Sequence, residues 1–132
     1  MDRFTVSTPA KTMMINITSN VREIIDDKGF KEGICYIYIP HTTAGVTINE
    51  SADPDVTSDI IMELNKIIPY QDNYRHMEGN SAAHIKTSMI GTSISIFVEK
   101  GNLQLGTWQG IFLCEFDGPR KRQVWVKLIK SS

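Results

Sequence analysis

The sequence predicts an α+β protein built mainly from antiparallel sheets in a sandwich-like arrangement, with two or three helices. Three observations predict it. Strand-like segments fall in clusters instead of alternating one for one with helices. The stretch from Pro54 to Ile68 repeats its apolar residues at helical spacing. From Ile94 to the end the pattern is nearly continuous β, broken by turns.

Taken in order, residues 3–8 (RFTVST) and 13–17 (MMINI) are expected strands, with Pro9 and Lys11 in the turn between them. Asn20 followed by Glu23 fits a capping box, and Val21, Ile24 and Ile25 give one apolar face, so a short helix is expected over 20–28, stopped at Gly29. Residues 33–39 (GICYIYI) are apolar on both faces, which suits a central strand. Residues 43–49 (TAGVTIN) alternate Val46 and Ile48 with Thr47 and Asn49 and read as another strand.

Asp53 can cap the next helix, Pro54 fits its first turn, and Asp55 and Asp59 lie near its positive end. Ile60, Ile61, Leu64, Ile67 and Ile68 form its apolar stripe, and Pro69 ends it. Residues 70–81 are polar and aromatic without a period, a long loop of the kind that carries function or is disordered. A short helix is expected over 81–89, capped by Asn80 or Ser81 and followed by Gly91. ISIFV, the turn EKGN, LQLGTWQGIFLCEF and QVWVKLI complete the antiparallel β structure.

Bulk properties narrow the function. The chain of 132 residues fits one domain, 1–132, and its 41% hydrophobic and 22% charged content is ordinary for a globular protein. Its formal net charge of −1 argues against a dedicated nucleic-acid binder, which needs a basic excess, but leaves room for a local anion site. Cys35 and Cys114 lie in apolar runs and read as buried thiols, with a disulfide between them as the alternative. The N-terminus has no apolar core of a signal peptide, and no apolar run reaches the roughly 20 residues a membrane helix needs. Cytoplasm and no membrane partner are the expectation.

The chemistry-bearing residues follow. His41 ends a buried strand, His76 lies in the long loop and His84 on the short helix, positions where sites are built. No histidine pair has the i, i+4 spacing of a zinc peptidase. Among the acids, Asp53 reads first as a helix cap. Glu50 beside Asn49 either closes a turn or reaches a pocket. Glu78 belongs to a turn with Gly79. Glu115, inside IFLCEF, needs a partner if it faces the core. In GTWQG (106–110), two glycines bracket Thr107, Trp108 and Gln109, which suggests a bulge with Trp108 in the core or a close ligand approach. GPRKR (118–122) is a basic turn, either solvated or able to clamp phosphate through arginine, and Lys86 can add to an anion site near the start of the short helix.

HTTAGVTINESADP (41–54), YRHMEGNSAAHIKTSMIG (74–91) and KGNLQLGTWQGIFLCEFDGPR (100–120) resemble, in order and spacing, the signature blocks of the YjbQ-like family, whose label is secondary thiamine-phosphate synthase. The resemblance covers essentially the whole chain. It implies a YjbQ-like α+β fold and a homotrimer. It also implies a weak, secondary condensation of a pyrimidine pyrophosphate with a thiazole phosphate. His41, Asn49, Glu50, Asp53, His76, Glu78, His84, Lys86, Gly106, Thr107, Gln109 and Glu115 match the family's motif positions, and the resemblance implies that they share one cleft.

Under this implied activity, His41, His84, Glu50 and Asp53 are the candidate catalytic residues. Asn49, His76, Lys86, Thr107, Gln109 and Arg120 are candidates for binding substrate or its phosphate. A divalent cation is expected, either Mg²⁺ on carboxylates (Glu50, Asp53, Glu115) or Zn²⁺ on His41, His76, His84 and Glu115. The expected partner is a small phosphorylated metabolite. The alternatives are a metal-dependent hydrolase using the histidines and a non-catalytic binding module for such a metabolite.

Overall fold

Eleven elements run in the order β1 (Asp2–Thr8), β2 (Met13–Asn16), α1 (Thr18–Asp27), β3 (Gly33–Tyr38), β4 (Ala44–Glu50), α2 (Pro54–Ile67), α3 (Ser81–Ile90), β5 (Ser93–Glu99), β6 (Asn102–Leu103), β7 (Gln109–Glu115) and β8 (Arg120–Lys130). The computed structural model describes residues 1–131, so the last residue of the expected 1–132 domain, Ser132, lies outside the described residues. The strands form two sheets, ordered β1-β8-β3-β5-β6 and β2-β7-β4, and every pairing is antiparallel. The α+β class with antiparallel sheets and three helices is what the chain adopts.

The core lies between the sheets. Cys35 and Ile37 of β3, Ile96 and Val98 of β5, and Val124 and Val126 of β8 face Val46 of β4 and Ile111 and Leu113 of β7, with Val21 and Ile25 of α1 packed among them. Burying each such side chain contributes about 1.5–3 kcal/mol. β7 is the middle strand of its sheet and is buried from Gly110 to Glu115, because α3 covers its second face through Ala83 against Cys114 and Phe116. Cys35 and Cys114 are buried and unbonded to each other. No helix among the described residues is long and apolar enough to cross a membrane.

Three local expectations change. α1 starts at Thr18, and the pair Asn20–Glu23 does not cap it. Asn16 opens the helix instead, its Oδ1 accepting from Thr18 N–H at 3.0 Å and from Thr18 Oγ1 at 2.6 Å. A short polar side chain just before a helix satisfies donors the helix itself leaves free. GTWQG does not lie within one continuous strand: β6 ends at Leu103, residues 106–108 form the turn before β7 begins at Gln109, and Trp108 is 64% exposed, not in the core. Gly110 still marks a close approach, since a Cβ there would sit 2.6 Å from Ser51 Cβ. Finally, α2 has the expected cap, with Asp53 Oδ1 accepting from Asp55 N–H at 2.9 Å, yet none of its residues is fully buried.

α3 is held on β4 by a second glycine contact. Gly91 carbonyl, at the helix end, accepts from Val46 N–H at 3.1 Å. A Cβ on Gly45 would lie 2.4 Å from that oxygen, so glycine is required for the helix to sit so close.

Candidate functional site

Alternation along β8 decides the floor of the site. Arg122, Val124 and Val126 share the inward face, so an arginine enters the interior, 3% exposed. Glu115 at the end of β7 is fully buried and meets it. Arg122 Nε donates to Glu115 Oε1 at 2.8 Å, and Nη2 donates to Glu115 Oε2 and to Thr43 Oγ1, the latter at 2.8 Å. Glu115 also accepts from Thr8 Oγ1 at 2.7 Å and from Asp117 N–H at 3.0 Å. Burial alone would raise its pKa, but the bonds from Arg122, Thr8 and Asp117 outweigh it and hold the carboxyl below its ordinary value. Arg122 Nη1 makes no hydrogen bond among the described residues, and Arg122 lines a cleft.

That cleft encloses about 360 Å³. Its other walls are Thr42 and Thr43, Asn80 and Arg120, and the three histidines with Glu78. A second hollow of about 500 Å³ shares His41, Thr42 and His84 and continues past Thr87 and Ser88 to Gly91. The loop after α2 returns His76 to His84, their rings edge to face with centroids 5.4 Å apart. His76 Nε2 lies 4.0 Å from Glu78 Oε2. At the rim, Arg120 donates from Nε to Asp117 carbonyl and from Nη2 to Asp117 Oδ2, at 2.8 and 2.9 Å. Asn80 Nδ2 donates to the same carboxylate at 3.0 Å.

His41 has a defined role in this wall. Its Nε2 accepts from Gln123 N–H at 2.9 Å, so the ring is neutral with its proton on Nδ1. Burial lowers its pKa, helped by the charges of Arg122 and Arg120 against the opposing pull of Glu115. The cleft therefore offers donors: a guanidinium edge at the floor, a second at the rim and an imidazole N–H. The two carboxylates behind them, Glu115 and Asp117, are already bonded to protein donors.

The expected metal set does not form. His41 Nε2 is occupied by Gln123, and while that bond stands Nδ1 holds the proton, so neither nitrogen is a free ligand. Both Glu115 oxygens are taken. Among the described residues no group of three His, Cys, Asp or Glu is placed to hold an ion. The carboxylate set Glu50, Asp53 and Glu115 is not brought together either.

The reason is the register of β4 on β7. Ala44 stands opposite Glu115, and Glu50 opposite Gln109. Six residue steps of about 3.3 Å put roughly 20 Å between the two ends. Asn49, Glu50, Asp53, Thr107 and Gln109 lie at the far end. There Asn49 Oδ1 accepts from Glu50 N–H, Glu50 Oε2 from Ala52 N–H, and Gln109 Oε1 from Gly106 N–H. Lys86 is also outside the cleft: it is on the inward face of α3, fully buried, bonded to Asn65 Oδ1 at 2.6 Å. Burial and then the like charge of Lys11 pull its pKa down to about 8. The expected single pocket is thus two clusters, one at each end of the same strand pair.

The sequence pattern of the family described as UPF0047 protein YjbQ-like matches residues 2–131. The chain belongs to the YjbQ-like family. Two relatives are the UPF0047 protein MJ1081 of Methanocaldococcus jannaschii and the UPF0047 protein YugU of Bacillus subtilis. MJ1081 is 49% identical over 96% of this chain and 92% of its own. YugU is 48% identical over 94% and 95%. A crystal structure of a YjbQ/UPF0047 family protein from Clostridium acetobutylicum superposes with a TM-score of 0.96 at 50% identity, covering 98% of this chain and all of that one.

Within this YjbQ-like chain, sequence reasoning placed the three histidines, Glu78 and Arg120 in the cleft but passed over Arg122 as part of a basic turn. A signal was present. Carrying the alternation of Val124 and Val126 back one step puts Arg122 on the core face, where only a buried acid such as Glu115 can accompany it. Of the two expected caps, Asn80 or Ser81, Asn80 holds the N-cap position of α3, but its side chain makes no cap bond and reaches Asp117 instead.

Proposed function

We propose that the cleft receives the phosphate or pyrophosphate group of a small metabolite. The observation that carries this is Arg122 Nη1, two N–H donors at the cleft floor without a partner among the described residues, on a guanidinium fixed by Glu115 and Thr43. A fixed fork suits two oxygens of one phosphate. Arg120 and the His41 Nδ1–H can approach the same group from the side.

The finer reading is the secondary thiamine-phosphate synthase activity that the family resemblance implies. There the thiazole nitrogen bonds to the methylene carbon as that carbon's bond to pyrophosphate breaks, and the electron pair leaves with the pyrophosphate. The chain's own part is to hold the leaving group with Arg122 and Arg120 and to give it a proton from His84 or His76. Metal-dependent hydrolysis has less support, because His41 and Glu115 have no free ligand atom. The non-catalytic module uses the same cleft without turnover.

Calorimetric titration with inorganic phosphate and with pyrophosphate tests the binding claim. Binding of either anion that weakens about tenfold in Arg120→Ala and His84→Ala is expected, the worth of one charge-assisted hydrogen bond. No binding by the unaltered protein, or binding indifferent to both changes, overturns it. Pyrophosphate release from the two heterocyclic substrates then separates enzyme from binding module.

Self-association belongs to this proposal. The outer face of the larger sheet carries Tyr36 and Tyr38 nearly half exposed and Phe97 67% exposed, and α2 leaves Met62 and Ile67 open. Several large apolar side chains left open in this way suit an interaction surface, which supports the homotrimer that the resemblance implies. Sedimentation of the unaltered protein and of Tyr36→Glu with Phe97→Glu tests it: a trimer reduced to monomer is expected, and a monomer from the outset refutes it.

A further inference from the structure

Lys86 is among the largest fully buried side chains of the described residues, and no carboxylate pairs with it among them. A hydrocarbon side chain in its place would avoid stripping water from an ammonium. What the lysine does instead is grip. Its Nζ is 3.6 Å from the centroid of the Tyr70 ring while it donates to Asn65 Oδ1 of α2. Lys11 Nζ lies 4.3 Å from the same centroid. The Tyr70 hydroxyl donates to Phe116 carbonyl at 2.9 Å, next to Glu115, and shares a hydrogen bond with Thr12 Oγ1.

Tyr70 matters because the loop from Ile68 to Asn80 has few other tethers among the described residues. Tyr74 donates only to Pro69 within the loop itself, and the next side-chain bond to the body of the protein is Asn80 to Asp117. His76 and Glu78 lie between them, exposed. We infer that Lys86 and Tyr70 are positioning residues for the cleft: the buried ammonium grips the ring that anchors this loop, and so holds His76 opposite His84. His84 is two residues before Lys86 on α3, so the turn that draws Lys86 inward aims His84 at the cleft. The inference rests on the proposed phosphate site for its affinity readout, but not for its geometric one.

The experiment compares Lys86→Met, Tyr70→Leu and Tyr70→Phe with the unaltered protein. It measures melting temperature, the nuclear Overhauser contact between the His76 and His84 rings, and affinity for inorganic phosphate. Lys86→Met is expected to melt no lower than the unaltered protein, yet to lose the ring contact and weaken phosphate binding about tenfold, as loss of a desolvated cation–π contact predicts. Tyr70→Leu should behave likewise. Tyr70→Phe keeps the ring face and should keep the ring contact, with a smaller loss of affinity. Unchanged ring contact and unchanged affinity in folded Lys86→Met and Tyr70→Leu overturn the inference and leave Lys86 as a brace between α2 and α3. If Lys86→Met does not fold, Tyr70→Leu decides alone. Absence of phosphate binding in the unaltered protein defeats the proposed function instead, and the ring contact still decides the positioning role.

Discussion

The floor and the rim of the cleft are built by opposite means. At the floor, Glu115 and Arg122 come from the ends of two central strands, and each is fixed by several hydrogen bonds. At the rim, His76 and Glu78 hang on a loop whose main tie to the body between Pro69 and Asn80 is one aromatic ring. The floor fixes charge where burial makes error costly. The rim leaves His76 and Glu78 exposed to water. The donor set of the floor is fixed on strands, whereas the exposed groups of the rim are carried by a loop with few ties to the body among the described residues.

The largest effect should come from breaking the floor. Arg122→Met leaves Glu115 buried without its partner and should destabilise the protein by about 3–5 kcal/mol in urea denaturation. Arg122→Met combined with Glu115→Gln should recover much of that loss, since it is the lone charge that is costly. Acid should reach the same weak point. Glu115 and Asp117 titrate below their ordinary values when folded, so the stability they contribute is present above about pH 4 and is lost as pH falls through their folded values. Glu115→Gln should flatten that limb of the stability curve.

The rim anchor should respond in a separate, alkaline window, because here burial disfavours the charged form instead of hydrogen bonds favouring it. Lys86 is near 8 when folded and at its ordinary, higher value when unfolded. Between those values the unfolded chain binds the extra proton, so raising pH favours the folded state. Stability measured from pH 8 to pH 10 should therefore gain a contribution from Lys86 that Lys86→Met lacks. A stability curve without that difference would show that burial does not penalise the ammonium.

His41 lies between floor and rim and should give a smaller effect. Its folded pKa is lowered, so its contribution is present above about pH 6.5 and fades as pH falls through the folded value, when protonation breaks the bond from Gln123. His41→Phe should cost about 1 kcal/mol at neutral pH by leaving that N–H unpaired. Smallest of all, Tyr74→Phe removes one bond inside the loop and should shift stability by less than about 1 kcal/mol.

How far the chain was legible varied with the range of the interaction. α2 was readable to the cap, because Asp53, Pro54 and the apolar spacing act within a few residues. α1 was displaced by two residues, because its start is decided by Asn16 and by Thr18 Oγ1, which also accepts from Ile111 N–H across the core. Of the two readings of GTWQG, the bulge with Trp108 in the core does not hold, because the run LQLGTWQG looks like strand only locally and Trp108 is exposed. Its turn is closed by Gln109 on Gly106 and held by Ser51 N–H on the Trp108 carbonyl. The three histidines line one cleft as the sequence expects, whereas Lys86, expected to add to an anion site near the start of its helix, is buried against Asn65.

By itself the sequence determined the fold class, the antiparallel β content, the helix at Pro54 and, through its blocks, the family. These follow from periodicity and local capping, which every few residues carry within themselves. Only the tertiary structure decided that Arg122 enters the floor beside Glu115, that Lys86 points away from the cleft, and that Glu50 and Gln109 stand at the far end of the strands from His41. Those outcomes depend on the register of β4 on β7 and on which face of β8 meets the core, and register is fixed by contacts between residues far apart in the chain.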